Sequence, residues 1–168
     1  MKLLHTFNAE KYSEKEIKKM KLHKAVRIIL FDDKKDVAIL YMARDNYYSL
    51  PGGGIEKTET FQEGFMRECW EETGCRAEVI KKLGQINEVR GKHNLVKNSI
   101  CFIAKVIGKK GPLNLESDEL EEEIKLMWVG IDKAIALISD FSDEVSLYNR
   151  YTLERDLLFL KEAKKLNL

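Results

Sequence analysis

A proline and three consecutive glycines, Pro51–Gly54, stand just ahead of a segment, Thr60–Thr73, whose apolar residues recur with the period of an α-helix. Phe61, Phe65 and Cys69 fall at i, i+4 and i+8, Met66 and Trp70 form a second row, and Gly74 supplies a stop past the last turn. A loop whose backbone can approach other groups closely must therefore run straight into an amphipathic helix. The same helix carries Glu68, Glu71 and Glu72 in the stretch RECWEETGC. At i, i+3 and i+4 these carboxylates share one face. Like charges so placed destabilise a bare helix by roughly a few tenths of a kcal/mol per pair, and by more where burial lowers the local dielectric. A divalent cation removes the conflict. Carboxylate oxygens are hard ligands and no histidine lies nearby, so the pattern points to Mg²⁺ or Mn²⁺ rather than zinc. Taken separately, the acidic face reads as solvated and the glycines as a turn. Their adjacency is what argues for a site that holds metal-bound phosphates.

The flanks supply strands. Ala25–Phe31 (AVRIILF) and Val37–Met42 (VAILYM) read as two strands joined by DDKKD into a hairpin. Ala77–Ile80, Gln85–Val89, Ser99–Ile107 and Ile124–Val129 read as further strands, with the acidic run LESDELEEE between the last two. From Ile131 the pattern is helical: a short piece to Ile138, then a helix from about Asp143 to Lys165, capped by Ser142. No repeat, low-complexity tract or linker interrupts the chain, so residues 1–168 are expected to form a single domain. The order of strands and helices predicts an α/β (α+β) layered fold around a mixed sheet.

Composition narrows the classes. A chain of 168 residues with 44% hydrophobic and 34% charged content suits one globular core. Its formal net charge of +1 offers no field for nucleic acid or an acidic membrane. Lys15–Lys24, the dense basic cluster, reads as a solvated face. No apolar run approaches the ~20 residues of a membrane span, and the N-terminus lacks the apolar core of a secretory signal. Cys69, Cys75 and Cys101 contain no C-x-x-C pair and read as small buried hydrophobes. The expected location is the cytoplasm.

Gly53, Glu59, Arg67, Glu68, Glu71, Glu72 and Gly74 together satisfy the spacing G-x5-E-x7-R-E-U-x-E-E-x-G-U, where U is a bulky aliphatic residue, and YSLPGG leads into it. On these residues, within Gly53–Cys75, the chain resembles the Nudix (MutT-like) hydrolases. It departs from the pattern at the U positions, where Cys69 and Cys75 stand. The resemblance implies an α/β/α sandwich with a mixed sheet. It implies a Mg²⁺-dependent pyrophosphohydrolase that cleaves the diphosphate linkage of a nucleoside diphosphate derivative, such as a nucleoside triphosphate, oxidised or not. Glu68, Glu71 and Glu72 would gather Mg²⁺, with Mn²⁺ as a substitute, and the Gly53 carbonyl would be a further ligand. Arg67 would orient a carboxylate, Glu68 or Glu59. Glu59 would tie the loop to the helix or simply cap it. Glu68 is the first choice of general base; Glu116, Glu119, Glu121, Glu122 and Glu123 are later candidates, each also readable as a solvated loop acid.

Arg44 and Tyr48, with Gly52 and Gly53, are candidate substrate contacts, as is Tyr47; Arg90, Lys92 and His93 are candidates from a later loop. Between Gln85 and Lys97 the chain has neither the proline typical of the family's ADP-ribose hydrolases nor the tyrosine typical of its dinucleoside polyphosphate hydrolases. The alternative reading is a non-catalytic sensor of the same fold that binds a nucleotide or metabolite. Such modules tend to lose the glutamates that this chain keeps. No basic patch with aromatic interleaving supports an RNA partner. The C-terminal helix has apolar residues on more than one face, Leu147, Tyr151, Leu157 and Leu160 among them. One face would close the core, and a second is available to a homodimer partner.

Overall fold

The computed structural model describes residues 2–115, 123–141 and 145–166. Within them a seven-stranded sheet is built from Leu3–Phe7 (β1), Lys21–Phe31 (β2), Val37–Met42 (β3), Tyr47–Ser49 (β4), Arg76–Arg90 (β5), Leu95–Ile107 (β6) and Ile124–Val129 (β7). The helices are Glu14–Ile17 (α1), Phe61–Thr73 (α2), Ile131–Ser139 (α3) and Leu147–Lys164 (α4). The strand order is β1-β5-β6-β2-β3-β4, with β7 also paired to β3. β1 runs parallel to β5 and β2 parallel to β6, while the other pairs are antiparallel, so the sheet is mixed.

Strand β2 shows why helices cover both faces. Its side chains alternate across the sheet. Val26, Ile28 and Leu30 pack with Phe65 and Cys69 of α2, whereas Ile29 packs with Phe159 and Leu160 of α4 and Ala134 of α3. A strand buried on both sides reads as a continuous apolar run, which is how AVRIILF reads apart from its arginine. The result is the α/β/α layering expected of the chain. Cys69, Cys75 and Cys101 are free and buried; burial pushes the Cys69 thiol up to about 11. Among the described residues, no helix is long and apolar enough to cross a membrane.

Helix α2 begins with a reciprocal cap. The Glu63 backbone N–H donates to the Thr60 hydroxyl at 3.2 Å, and the Thr60 N–H donates to the Glu63 carboxylate at 2.7 Å. It ends at Gly74, whose φ of 63° is left-handed. These caps fix where on the helix the acidic face falls.

Several expectations need correction. The strands at Ala77–Ile80 and Gln85–Val89 are one strand, β5, which absorbs the intervening Lys81–Gly84 through irregularities at Val79/Lys81 and Lys82/Gly84. The hairpin between β2 and β3 closes only at its base, Phe31 opposite Val37. Beyond that pair β2 is bonded to β6, and β3 to β4 and β7. The C-terminal helix starts at Leu147, not Asp143, because the Ser146 hydroxyl accepts the Asn149 N–H; Ser142 and Asp143 lie outside the described residues. Strand β1, the short strand β4 and helix α1 were not signalled by periodicity.

The divergence of β2 from β3 admits the glycine loop. Ile28 N–H donates to the Pro51 carbonyl at 2.9 Å and Val26 N–H to the Gly53 carbonyl at 3.0 Å, so the loop lies along β2 like a short extra strand. Only glycine fits at Gly52: its φ is +126°, and a Cβ there would sit 2.4 Å from the Val26 carbonyl oxygen.

Candidate active site

Arg67, in the middle of α2, gathers the acidic groups. Its Nε and Nη2 donate to the two oxygens of Glu59 at 2.8 and 3.1 Å, a bidentate fork. Its Nη1 donates to Glu68 Oε1 at 2.9 Å and to Glu71 Oε2 at 3.0 Å, and Nη2 also donates to the Gly54 carbonyl at 2.8 Å. One guanidinium thus ties together the loop, the residue before the helix cap and two turns of the helix. The hydrogen bonds from Arg67 hold the Glu59 carboxyl below its usual range, and the same contacts raise the pKa of the arginine. Glu59 also accepts the Glu56 N–H at 2.9 Å, closing the loop ahead of the helix.

Glu68 is only 4% exposed. Burial pushes its carboxyl up to about 6 against the opposing pull of Arg67. It lies directly against Gly53, where a Cβ would come within 2.4 Å of Glu68 Oε1. Glu72, also buried, accepts the Gly52 N–H. The loop and the helix are therefore joined at two points, Gly53 on Glu68 and Gly52 on Glu72, and neither glycine has room for a side chain.

Among the described residues, no three acidic, histidine or cysteine side chains converge into a preformed metal cage. Glu68 and Glu71 turn to Arg67, and Glu72 to the loop. The donor set nonetheless suits a hard divalent ion: carboxylates on adjacent turns beside the Gly53 carbonyl, which keeps a lone pair after accepting the Val26 N–H. Mg²⁺ takes one or two carboxylates and leaves its other positions to water and phosphate, so a full protein cage is not required.

Beside Glu72 lies a cavity of about 230 Å³ that the sequence does not announce. Its cations are Arg27 of β2, Arg90 of β5 and Lys97 of β6. The strands β3, β4 and β7 contribute the apolar side chains Met42, Tyr47 and Ile124, beside Leu50 and the polar Ser49. Arg27 and Lys97 are residues that local pattern reading missed. The available signal was the single charge within AVRIILF, since a cation in a strand buried on both faces needs a reason to be there. Of the other candidates, Arg44 sits on an exposed turn paired with Asp45 at 3.1 Å, and Tyr48 packs on the Tyr41 ring at 4.9 Å. Tyr47, rather than Tyr48, lines the cavity. Lys92 and His93 are exposed at the Tyr148 edge. Glu123 is described, with a left-handed φ of 52°, whereas Glu116, Glu119, Glu121 and Glu122 lie outside the described residues.

A buried ionic network supports the cavity from below. Arg155 of α4 donates to Glu88 Oε1 at 2.8 Å and to Asp156 Oδ1 at 2.8 Å. Arg90 binds the other Glu88 oxygen, and Asp156 Oδ2 accepts the Leu50 N–H at 3.0 Å. Burial alone would raise the Glu88 carboxyl, but Arg155, Arg90 and Lys97 prevail and hold it at about 2. The folded value is thus depressed below its ordinary 4.5. The stability that Glu88 contributes is therefore present above pH ~4.5 and lost as pH falls towards ~2. Urea unfolding across that window is expected to show a falling midpoint in the wild type. A Glu88→Gln variant should show a flatter slope, and an identical slope would remove Glu88 from the account.

A loop of glycines locked to an acidic helix by one arginine, on an α/β/α sandwich, defines a phosphoric-anhydride hydrolase. The comparisons agree: residues 21–151 match the NUDIX domain model, and the chain belongs to the Nudix hydrolase family. It is 34% identical over 125 residues to an ADP-ribose pyrophosphatase of Methanocaldococcus jannaschii, covering 68% of this chain and 73% of that protein. It is 41% identical over 58 residues to a Bacillus subtilis protein provisionally named an 8-oxo-dGTP diphosphatase, a match that spans 34% of this chain and 36% of the relative. A NUDIX hydrolase from Nitrosomonas europaea shares the fold with a TM-score of 0.65 at 15% identity, covering 86% of this chain and 90% of that one.

Proposed function

We propose that the chain hydrolyses a nucleoside triphosphate, oxidised forms included, at a phosphoric anhydride bond, with Mg²⁺ and with Mn²⁺ as a substitute. The observation that carries this reading is the cavity beside Glu72, which brings together three cations and the side chains of Met42, Tyr47, Leu50 and Ile124. Triphosphate oxygens suit the first and a base the second. Glu68, Glu71, Glu72 and the Gly53 carbonyl are the groups that would hold the metal. A divalent ion bound there supplies charge neutralisation on the phosphoryl oxygens and eases deprotonation of water.

The chain's own residues do the rest. Arg67 keeps Glu68 and Glu71 from repelling each other and presents them on one side of the helix. Gly52 and Gly53 let the backbone pass close to Glu72 and Glu68. Glu68, shielded from solvent, takes the proton of the attacking water. Water adds to phosphorus, the anhydride P–O bond breaks, and the leaving phosphate carries away the electron pair.

The test is release of phosphate or pyrophosphate from a panel of nucleoside triphosphates, 8-oxo-dGTP, ADP-ribose, nucleotide sugars and dinucleoside polyphosphates. Turnover of a triphosphate with Mg²⁺, abolished by chelator and by Glu72→Gln, is the expected result. The name of the M. jannaschii relative favours a second reading, and turnover of ADP-ribose in preference to every triphosphate would establish it instead. Binding without turnover across the whole panel would favour a sensor.

A further inference from the structure

The three cations of the cavity are not equally engaged. Arg90 binds Glu88 and lies over the Tyr148 ring at 5.4 Å. Arg27 Nη1 donates to the Val26 carbonyl at 2.7 Å and to the Gly52 carbonyl, yet its buried Nε has no hydrogen-bond partner. Its nearest carboxylate, Asp156 Oδ1, is 3.8 Å away, too far for a hydrogen bond. Lys97 is the least engaged of the three. Among the described residues its amine makes neither a hydrogen bond nor an ion pair. It stands opposite Glu88 in the β5–β6 register, but both Glu88 oxygens are already taken by Arg155 and Arg90.

A partly buried ammonium group beside Arg27 and Arg155, with only the field of a Glu88 already bonded to two arginines to balance it, is an expensive arrangement. Burial, then Arg27 and Arg155, push its pKa well below the usual lysine range. An incoming anion relieves that cost, and Lys97 and Arg27 line one cavity. A tetrahedral phosphoryl group accepts from several directions at once, as these donors require. The wall on the Glu72 side is where the metal-bound phosphates belong under the proposed function, on which this inference rests. The group that reaches Lys97 is therefore a further phosphate of the same chain.

We propose that Lys97, backed by Arg27, is the specificity-determining contact for the additional phosphoryl group of a nucleoside triphosphate. It sets this chain's preference for triphosphates over diphosphate diesters of the same nucleoside. ADP-ribose and a nucleotide sugar carry the diphosphate but lack that group.

The experiment compares pairs that share one nucleoside, ATP with ADP-ribose and GTP with GDP-mannose, in wild type, Lys97→Gln and Lys97→Arg. In Lys97→Gln the KM for the triphosphate should rise about tenfold or more, the scale of one lost charged hydrogen bond. The KM for the diester and both kcat values should stay within about threefold, and Lys97→Arg should restore the triphosphate KM. The melting temperature of Lys97→Gln should stay near that of the wild type, because the amine makes no hydrogen bond and its attraction to Glu88 is opposed by burial and by Arg27 and Arg155. An equal rise for both members of a pair would mean that Lys97 reads the shared nucleoside, and would overturn the proposal. So would no rise at all. If neither member of any pair is hydrolysed, the proposed function fails separately. Calorimetric titration with Mg-ATP and Mg-GTP then reads Lys97 directly: about tenfold weaker binding in Lys97→Gln supports it, while equal affinity, or no binding by the wild type, sinks it.

Discussion

Arg67→Lys is expected to lower kcat/KM by on the order of 100-fold, at the upper end of what loss of a ligand-orienting group produces. A lysine carries one point charge on a flexible stem and cannot reproduce the fork. It can meet one carboxylate, whereas Arg67 serves Glu59, Glu68, Glu71 and the Gly54 carbonyl together. The groups it abandons repel one another on a partly buried face, so the helix and the glycine loop lose their common anchor. The concentration of Mg²⁺ giving half-maximal rate should rise as well. Arg67→Met should be worse still, since no cation remains. Steady-state kinetics across a Mg²⁺ series checks both; a kcat/KM within about threefold of wild type would mean that the carboxylates are positioned by something other than Arg67.

Arg155→Met is expected to destabilise the protein by about 3–5 kcal/mol, the usual effect of breaking a buried ion pair on one side. Arg155, Glu88 and Asp156 are all fully buried, so the two carboxylates would be left in a dry interior with too little compensation. Adding Glu88→Gln should recover part of the loss, because it removes one stranded charge, and that non-additivity is the signature of a shared network. Urea unfolding of the single and double variants measures both. A loss below about 1 kcal/mol would show that the network is replaceable. Activity should fall further than stability alone explains, because Asp156 holds the Leu50 N–H at the entrance to the glycine loop.

The acidic helix is legible because everything that makes it is local. Thr60 and Glu63 cap it, Phe65 and Cys69 give it a buried side, and Gly74 stops it within one turn of Glu72. The strands Val37–Met42 and Ile124–Val129 are legible for the same reason, each being one compact apolar run. Where the reading slipped, the deciding contact lay elsewhere in the chain. Ala77–Ile80 and Gln85–Val89 read as separate strands, yet β6 on one side carries β5 straight through Lys81–Gly84, with β1 beside Gly84 on the other. Leu3–Phe7 is too short to stand out and becomes a strand only because β5 accepts it. Tyr47–Ser49 is a strand only because β3 lies beside it.

Spacing along the chain by itself determined the family, the acidic face and the arginine among its glutamates, because a helix converts sequence offsets of three and four into neighbouring side chains. Only the tertiary structure decided that the fork of Arg67 reaches back to Glu59 and Gly54 in the loop. Only it brought Arg27, Arg90, Lys97 and Thr152, from three strands and the last helix, around one cavity. Those residues are neighbours through sheet pairing and helix packing across long separations, and no local periodicity records such contacts.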